Sequence, residues 1–176
     1  MKKIRIISEL GDDEALLAVA EALRGTYMRE VEIEVSPSLI GEEFFDIKRG
    51  QYDAWKIVQY YREVFRDDDY VLLVTDKDLY AAGLNFVFGL AWRGVAVISG
   101  HRLRQEFYEY PADRKLFLER IVKEAVHEIG HLHGLTHCGD RGCVMAFSNS
   151  ILDTDRKDWK LCKKCLAKLR LGGILR

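Results

Sequence analysis

His127 and His131 stand four residues apart with Glu128 beside the first, and Gly134, His137 and Met145 follow in order. On a helix, positions i and i+4 point the same way one turn apart, so both imidazoles can reach one ion at about 2.0–2.1 Å. Glu128 then projects beside that ion, where it can take a proton from bound water and later deliver it to a leaving amine. A helix continued without a break would carry residue 137 away. Gly134 can adopt positive φ, stop the helix and turn His137 back as a third ligand. Three protein ligands leave a fourth zinc position open to water, whose pKa the ion lowers towards about 7. Met145 is expected on a tight turn beneath the ligands as a polarizable floor, although a methionine on its own reads more simply as core.

The four cysteines lie in the same stretch. Cys138 directly follows His137, Cys143 closes a Gly-Asp-Arg-Gly loop, and Cys162 and Cys165 are nearly one helical turn apart. Four thiolates make a closed, structural zinc site. It would tie the loop of His137 and Met145 to the C-terminal helix, and its binding energy would be folding energy. Two disulfides or a redox-active C-x-x-C pair are the competing accounts. The lack of an export signal and the size of the chain favour metal over disulfides. The C-x-x-C pair only half meets the usual redox position after a strand and opening a helix. His133 lies on a different helix face from His131 and reads as a non-ligand with a neighbouring bonding or solvated role. His101 is isolated and reads equally well as a satisfied strand-end residue.

Several elements must position these groups. Lys3 to Ile7 reads as a short strand, and Leu16, Val19, Ala20 and Leu23 as a helix ending at Gly25, with cap chemistry in Gly11 to Glu14. Glu30 to Ser36 alternates as a half-buried strand, and a short segment is expected near Phe44. Tyr52 to Phe65 reads as a helix broken by Asp67-Asp68-Asp69, and Tyr70 to Thr75 as a fully buried strand. Leu84 to Leu90 places Leu84, Phe86, Phe88 and Leu90 on one strand face, and Gly94 to Ser99 is another apolar strand. After Pro111 a long helix carries the stripe Leu118, Ile121, Val122, Ala125, Ile129 and Leu132, opposite the two histidines. Asp155 to Arg170 reads as a final basic helix containing the second cysteine pair. These elements describe one α/β domain over residues 1–176.

The chain has 176 residues, 48% hydrophobic and 31% charged, enough for a sizeable core. A net charge of −1 gives no global attraction to nucleic acid or anionic membrane. The basic face of the last helix has no aromatic platform beside it and reads as solvated. No apolar run reaches the roughly eighteen residues of a bilayer span. The first residues read as a strand, not a signal peptide, so a cytoplasmic location is expected.

HExxHxxGxxH followed by a methionine resembles the metzincin clan of zinc metallopeptidases. Cys138, then Cys143-Val144-Met145 and Cys162-x-x-Cys165, resembles one family within it, the archaemetzincins. Arg49-Gly-Gln-Tyr52, Asp78-Leu-Tyr80 and Leu84-Asn-Phe-Val-Phe-Gly89 also look familial, so the resemblance spans the chain. It implies an α/β (α+β) fold, a compact metzincin-like domain. A twisted mixed sheet would lie above an active-site helix, with the C-terminal helix tied by a structural zinc. Residue by residue, His127, His131 and His137 match the catalytic zinc ligands, Glu128 the general base and Met145 the Met-turn. Cys138, Cys143, Cys162 and Cys165 match the second zinc site, giving two zinc ions per chain. Sixteen residues separate Met145 from Cys162, one fewer than the family pattern, a difference that a loop adjustment absorbs.

In that clan the substrate lies extended along an edge strand above the zinc. The resemblance points to Leu84 to Leu90 as this strand, with peptide added by backbone pairing. Pairing of that segment on both sides within the sheet would remove the assignment. The implied activity is zinc-dependent hydrolysis of a peptide or protein substrate; the oligomeric state is not legible in the sequence, and a monomer is the default expectation. Phe147 offers no hydroxyl for the oxyanion, which leaves that duty largely to zinc. With all cysteines after residue 137, an N-terminal cysteine switch is not expected. The alternative is a zinc-stabilised binding or regulatory domain with little turnover, against which the intact ligands and base argue.

Overall fold

The computed structural model describes residues 2–66 and 69–172. In chain order the elements are β1 (Ile4–Ser8), α1 (Asp13–Tyr27), β2 (Val31–Val35), β3 (Phe45–Asp46), β4 (Gln51–Asp53) and α2 (Ala54–Val64). There follow β5 (Tyr70–Thr75), β6 (Leu79–Tyr80), β7 (Gly89–Trp92), β8 (Val95–Ser99), α3 (Arg114–Leu132), α4 (Ile151–Arg156) and α5 (Lys163–Leu171). The main sheet has the order β2-β1-β5-β8-β7. Strands β2, β1, β5 and β8 run parallel, and β7 closes one end antiparallel to β8, with Gly89 opposite Ile98.

Parallel strands inside a sheet are covered on both faces and so must be apolar on both. In β1 and β5, Ile4, Ile6, Leu72 and Val74 pack with α1 and α3, while Ile7, Val71 and Leu73 pack with α2. This mixed α/β layering is the fold class that the sequence predicts. It places α3 under the sheet, with its C-terminal half near the open edge of β7.

Asp12 caps α1, accepting the N–H of Ala15, and also pairs with Arg114 at the head of α3, which reaches Glu14 as well. Hydrogen bonding from Arg114 holds the Asp12 carboxyl below the usual carboxylate range, against the opposing effect of burial. Asp12→Ala is expected to cost roughly 0.5–2 kcal/mol at neutral pH, the usual worth of such a cap. A lowered folded-state pKa means that this contribution is fully present above the unfolded pKa and is lost as pH falls through the folded one. Denaturant melts at pH 7 and pH 3 should therefore show the gap between variant and parent shrinking in acid.

Three sequence-based elements differ from the structure. The helix expected from Tyr52 starts at Ala54, because Gln51–Asp53 pair with β3 and β6 as β4, and Asp53 accepts the N–H groups of Trp55 and Lys56 as the cap. Strands of two or three residues carry too little alternation to be seen in a sequence. Of the aspartates expected to break that helix, Asp67 and Asp68 lie outside the described residues.

Leu84 to Leu90 is not one strand. Regular pairing begins at Gly89, and a bend at Phe88 sends Phe88 into the α1–α3 core but Leu90 into the α2 core. The preceding residues form a rim held by side chains and by the Val87 N–H, which donates to Leu79 O of β6 at 2.9 Å. Arg49 Nη2 donates to the carbonyls of Leu84 (2.9 Å) and Asn85 (3.2 Å), and Gln51 Nε2 donates to Asn85 O (3.0 Å). The Arg49 guanidinium also lies over the ring of Tyr80. The Arg49–Tyr52 and Asp78–Tyr80 segments thus build the small sheet β3-β4-β6 that supports this rim.

The single helix expected over Asp155 to Arg170 is two. A capping box between Ser150 and Asp153 opens α4, and Lys157 to Leu161 are a bent, non-helical segment before α5 begins with Cys162 as its cap residue. Arg120, almost wholly buried on α3, grips Asp155 with two 2.7 Å hydrogen bonds, and Lys123 donates to Thr154 O. These contacts fix α4 against α3 and leave the following segment free to cross towards the cysteines.

Candidate active site

The end of α3 shapes the site. Gly134 has φ +84°, its N–H donates to His131 O (2.9 Å), and the Leu135 N–H donates to Gly130 O (3.0 Å). This pair of bonds is the Schellman closure, which requires a left-handed residue at the position glycine occupies. The turn then has a second use. The Leu135 carbonyl accepts from Nδ1 of His131 at 2.8 Å, and the Val144 carbonyl, next to Met145, accepts from Nδ1 of His127 at 2.8 Å. With the Nδ1 protons so committed, each Nε2 presents a lone pair.

Those lone pairs converge. Nε2 of His127 and His131 are 3.0 Å apart, and the three ligand nitrogens of His127, His131 and His137 lie within 4.8 Å of one another. A tetrahedral ion with arms of about 2.0–2.1 Å sets an edge of about 3.3–3.4 Å, close to this spacing. Neutral nitrogen lone pairs facing each other repel unless a cation lies between them, so the donor set fits a zinc ion. Burial pushes all three imidazoles below the usual histidine range, His127 furthest, so they are neutral at pH 7 as ligands must be.

His133 stays out of this set. Its Nδ1 bonds to Ile129 O and its ring stacks on Tyr27 at 4.5 Å, so its place is a buried one and not surface solvation. His101 follows β8 in a short 3₁₀ turn, with its backbone N–H on Ser99 Oγ.

Glu128 is 5% exposed and faces β7. A Cβ at Gly89 would lie 2.8 Å from Glu128 Cγ and 3.0 Å from its Oε1, so only glycine lets the edge strand ride this close to the carboxylate. Burial, reinforced by Glu124, pushes the Glu128 carboxyl well up. A dication held beside it would act in the opposite direction. Glu128, the imidazoles, the rim around Leu84 to Ala91 and residues Phe147 to Asn149 line one cleft of about 520 Å³.

Met145 is fully buried under the helix, with its Sδ against Gly130. A Cβ at Gly130 would press into that sulfur and come within 3.0 Å of the Tyr27 hydroxyl, itself hydrogen-bonded to Val126 O. Gly130→Ala is therefore expected to destabilise by about 1–3 kcal/mol through overpacking, read as a lower melting midpoint.

The cysteines form a second cluster. Cys138 Sγ and Cys162 Sγ are 3.8 Å apart, as are Cys143 Sγ and Cys165 Sγ, and all four are free thiols. Zinc–sulfur bonds of about 2.3 Å in a tetrahedron give a sulfur–sulfur edge of about 3.8 Å, whereas a disulfide needs about 2.05 Å. The Cys162 N–H donates to Cys143 Sγ at 3.3 Å. Burial opposes ionisation of Cys162, yet the Cys165 N–H and the surrounding thiols bring it down to about 7. The cluster fits a structural zinc and not a disulfide pair. It is bound to the histidine site by the Cys138 N–H to Met145 O bond of 2.9 Å.

The sequence reading passed over Gly89, Glu124 and Lys157, all of which line the cleft. For Glu124 a signal existed, since Glu124, His127, Glu128 and His131 recur at i, i+3, i+4 and i+7, a polar stripe inside a buried helix. Lys157 carried none, being one lysine in a basic run.

Three neutral imidazoles and a buried carboxylate face one cleft beside the edge strand, and the match to a peptidase family together with the likeness to a zinc-dependent peptidase structure puts the protein among the zinc-dependent peptidases. The chain belongs to the archaemetzincin family, for the profile of peptidase family M54 matches residues 15–171. The archaemetzincin of Pyrococcus furiosus is 44% identical, with 98% of this chain and 96% of the relative covered. The crystal structure of the archaemetzincin from Methanopyrus kandleri superposes with a TM-score of 0.83 at 36% identity, covering 97% of this chain and 94% of that one. A zinc-dependent peptidase from Methanocorpusculum labreanum gives 0.84 at 34% identity, covering 94% and 99%.

Proposed function

We propose that His127, His131 and His137 hold the catalytic zinc, that Cys138, Cys143, Cys162 and Cys165 hold a structural one, and that residues 1–176 act as a single domain. Zinc bound to the imidazoles supplies Lewis acidity, polarising the scissile carbonyl and bringing the pKa of water towards about 7. Glu128 takes the proton of the attacking water and returns it to the leaving amine. The Val144 and Leu135 carbonyls keep the two helix imidazoles in the ligating tautomer. Met145 packs beneath them as the Met-turn. Peptide extends along the outer edge of β7, which takes in only the Gly89 and Leu90 end of the expected segment Leu84 to Leu90, adding a strand by backbone hydrogen bonds. The end position of β7 in the sheet supports this. Leu84 to Phe88 drops out, because side chains hold the Leu84 and Asn85 carbonyls and Val87 pairs with Leu79 while Phe88 pairs with Ser99.

The observation that carries the reading is the convergence of three imidazole lone pairs with Glu128 on one cleft. The same reading has the protein working as a cytoplasmic monomer on peptide or protein substrates, without nucleic acid or membrane. The net charge of −1 supports this, and among the described residues no helix is long and apolar enough to cross a membrane. A zinc-stabilised binding module without turnover is the weaker reading, since the family is one of peptidases.

Zinc titrated into metal-free protein should saturate at two ions per chain, one of them withdrawn by a mild chelator together with peptide cleavage. A single ion, or two whose removal leaves cleavage unchanged, would overturn the assignment.

A further inference from the structure

A buried ion pair without enough partners lines the cleft next to Glu128. Lys157 Nζ and Glu124 Oε1 are 3.8 Å apart, and their side chains are only 1% and 4% exposed. That separation is too long for a hydrogen bond. Among the described residues Glu124 Oε1 makes no hydrogen bond, and Lys157 Nζ donates to Ala146 O at 3.1 Å, which leaves further N–H groups on the ammonium. Ser148 Oγ, which lines the same cleft, is also buried without a partner among the described residues. Buried polar groups are almost always hydrogen-bonded, so an acceptor, a cation and a hydroxyl left open around one cleft point to something that completes them.

The chemistry of that group follows from the pair. An apolar side chain would leave Glu124 and Lys157 both unanswered. An acidic side chain would stand against Glu124, and a basic one against Lys157. A primary carboxamide answers both, since its N–H can donate to Glu124 Oε1 while its carbonyl accepts from Lys157 Nζ. Its oxygen and nitrogen are about 2.3 Å apart, and two splayed bonds of about 2.9 Å span the observed separation. We propose that Glu124 and Lys157 form the end of a specificity subsite that accepts asparagine or glutamine beside the scissile bond. This rests on the reading of the three histidines and Glu128 as the hydrolytic centre.

The test is a series of peptide hydroxamates differing only in the side chain next to the metal-binding group, namely glutamine, glutamate, lysine and norleucine. Binding to the zinc-loaded protein is measured by calorimetry. Glutamine should bind at least tenfold tighter than the other three. Glu124→Leu combined with Lys157→Met removes both charges together and should reverse the order, favouring norleucine over glutamine at least tenfold. Should that double variant fail to fold, Glu124→Gln keeps the shape and should raise glutamate at least tenfold relative to glutamine. Tighter binding of norleucine or of a charged member to the parent protein would overturn the subsite, as would an unchanged order in the variants. Because binding is read without turnover, a glutamine preference in a protein that cleaves nothing would refute the hydrolytic roles and leave the subsite standing.

Discussion

Glu128→Gln should leave metal content unchanged and lower kcat for peptide cleavage by roughly 10²–10⁴-fold, the usual worth of a positioned general base. The substitution keeps the methylenes that pack against Gly89, so the edge strand has no reason to move. It also leaves the Nδ1 bonds to Val144 and Leu135 intact. What it removes is the only function of the carboxylate that an amide cannot supply, acceptance of a proton from water. KM should therefore change little while kcat falls, the pattern of a group that acts in the transition state. Steady-state kinetics paired with metal analysis measures both. Full turnover in a metal-replete variant would remove Glu128 as the base.

The second large effect concerns the thiolate cluster. Structural zinc contributes roughly 10–16 kcal/mol of apparent binding free energy in small zinc-folded units, comparable with the whole stability of about 5–15 kcal/mol of an ordinary domain. Cys165→Ala, at a position 2% exposed against Cys143, should abolish one bound ion and the cooperative melting transition of the C-terminal region. Hydrolysis should be lost with it, although Cys165 is remote in sequence from the histidines. Val144 N–H donates to Lys160 O and Asp158 N–H to Gly142 O, so the segment leading to the second cysteine pair is strapped to the loop that orients His127. A variant with two ions and an unaltered melting midpoint would show that the thiols are not a metal site.

The gathering of the three histidines and of the four cysteines could be read in the sequence because it follows local rules. An i, i+4 spacing, a glycine able to take φ +84° and adjacent cysteines need no knowledge of distant contacts. The failures came where distant contacts decide. Leu84 to Phe88 alternates like a strand, yet the Leu84 and Asn85 carbonyls are claimed by Arg49 and Gln51, more than thirty residues earlier in the chain. Asp155 to Arg170 contains no glycine or proline to mark a break. It breaks because Lys157 must reach Ala146 O and Cys162 must stand ahead of a helix where its sulfur can meet Cys138. Glu124 shows a different kind of miss, for its place in the polar stripe of α3 was visible but the carboxylate needed a partner, Lys157, that only tertiary structure supplies.

The adjacency of His137 and Cys138 has a cellular consequence. With the four thiolates holding a zinc as proposed, closure of the sulfur cage would fix the residue next to His137 and help present its imidazole. Zinc scarcity would then weaken both centres together.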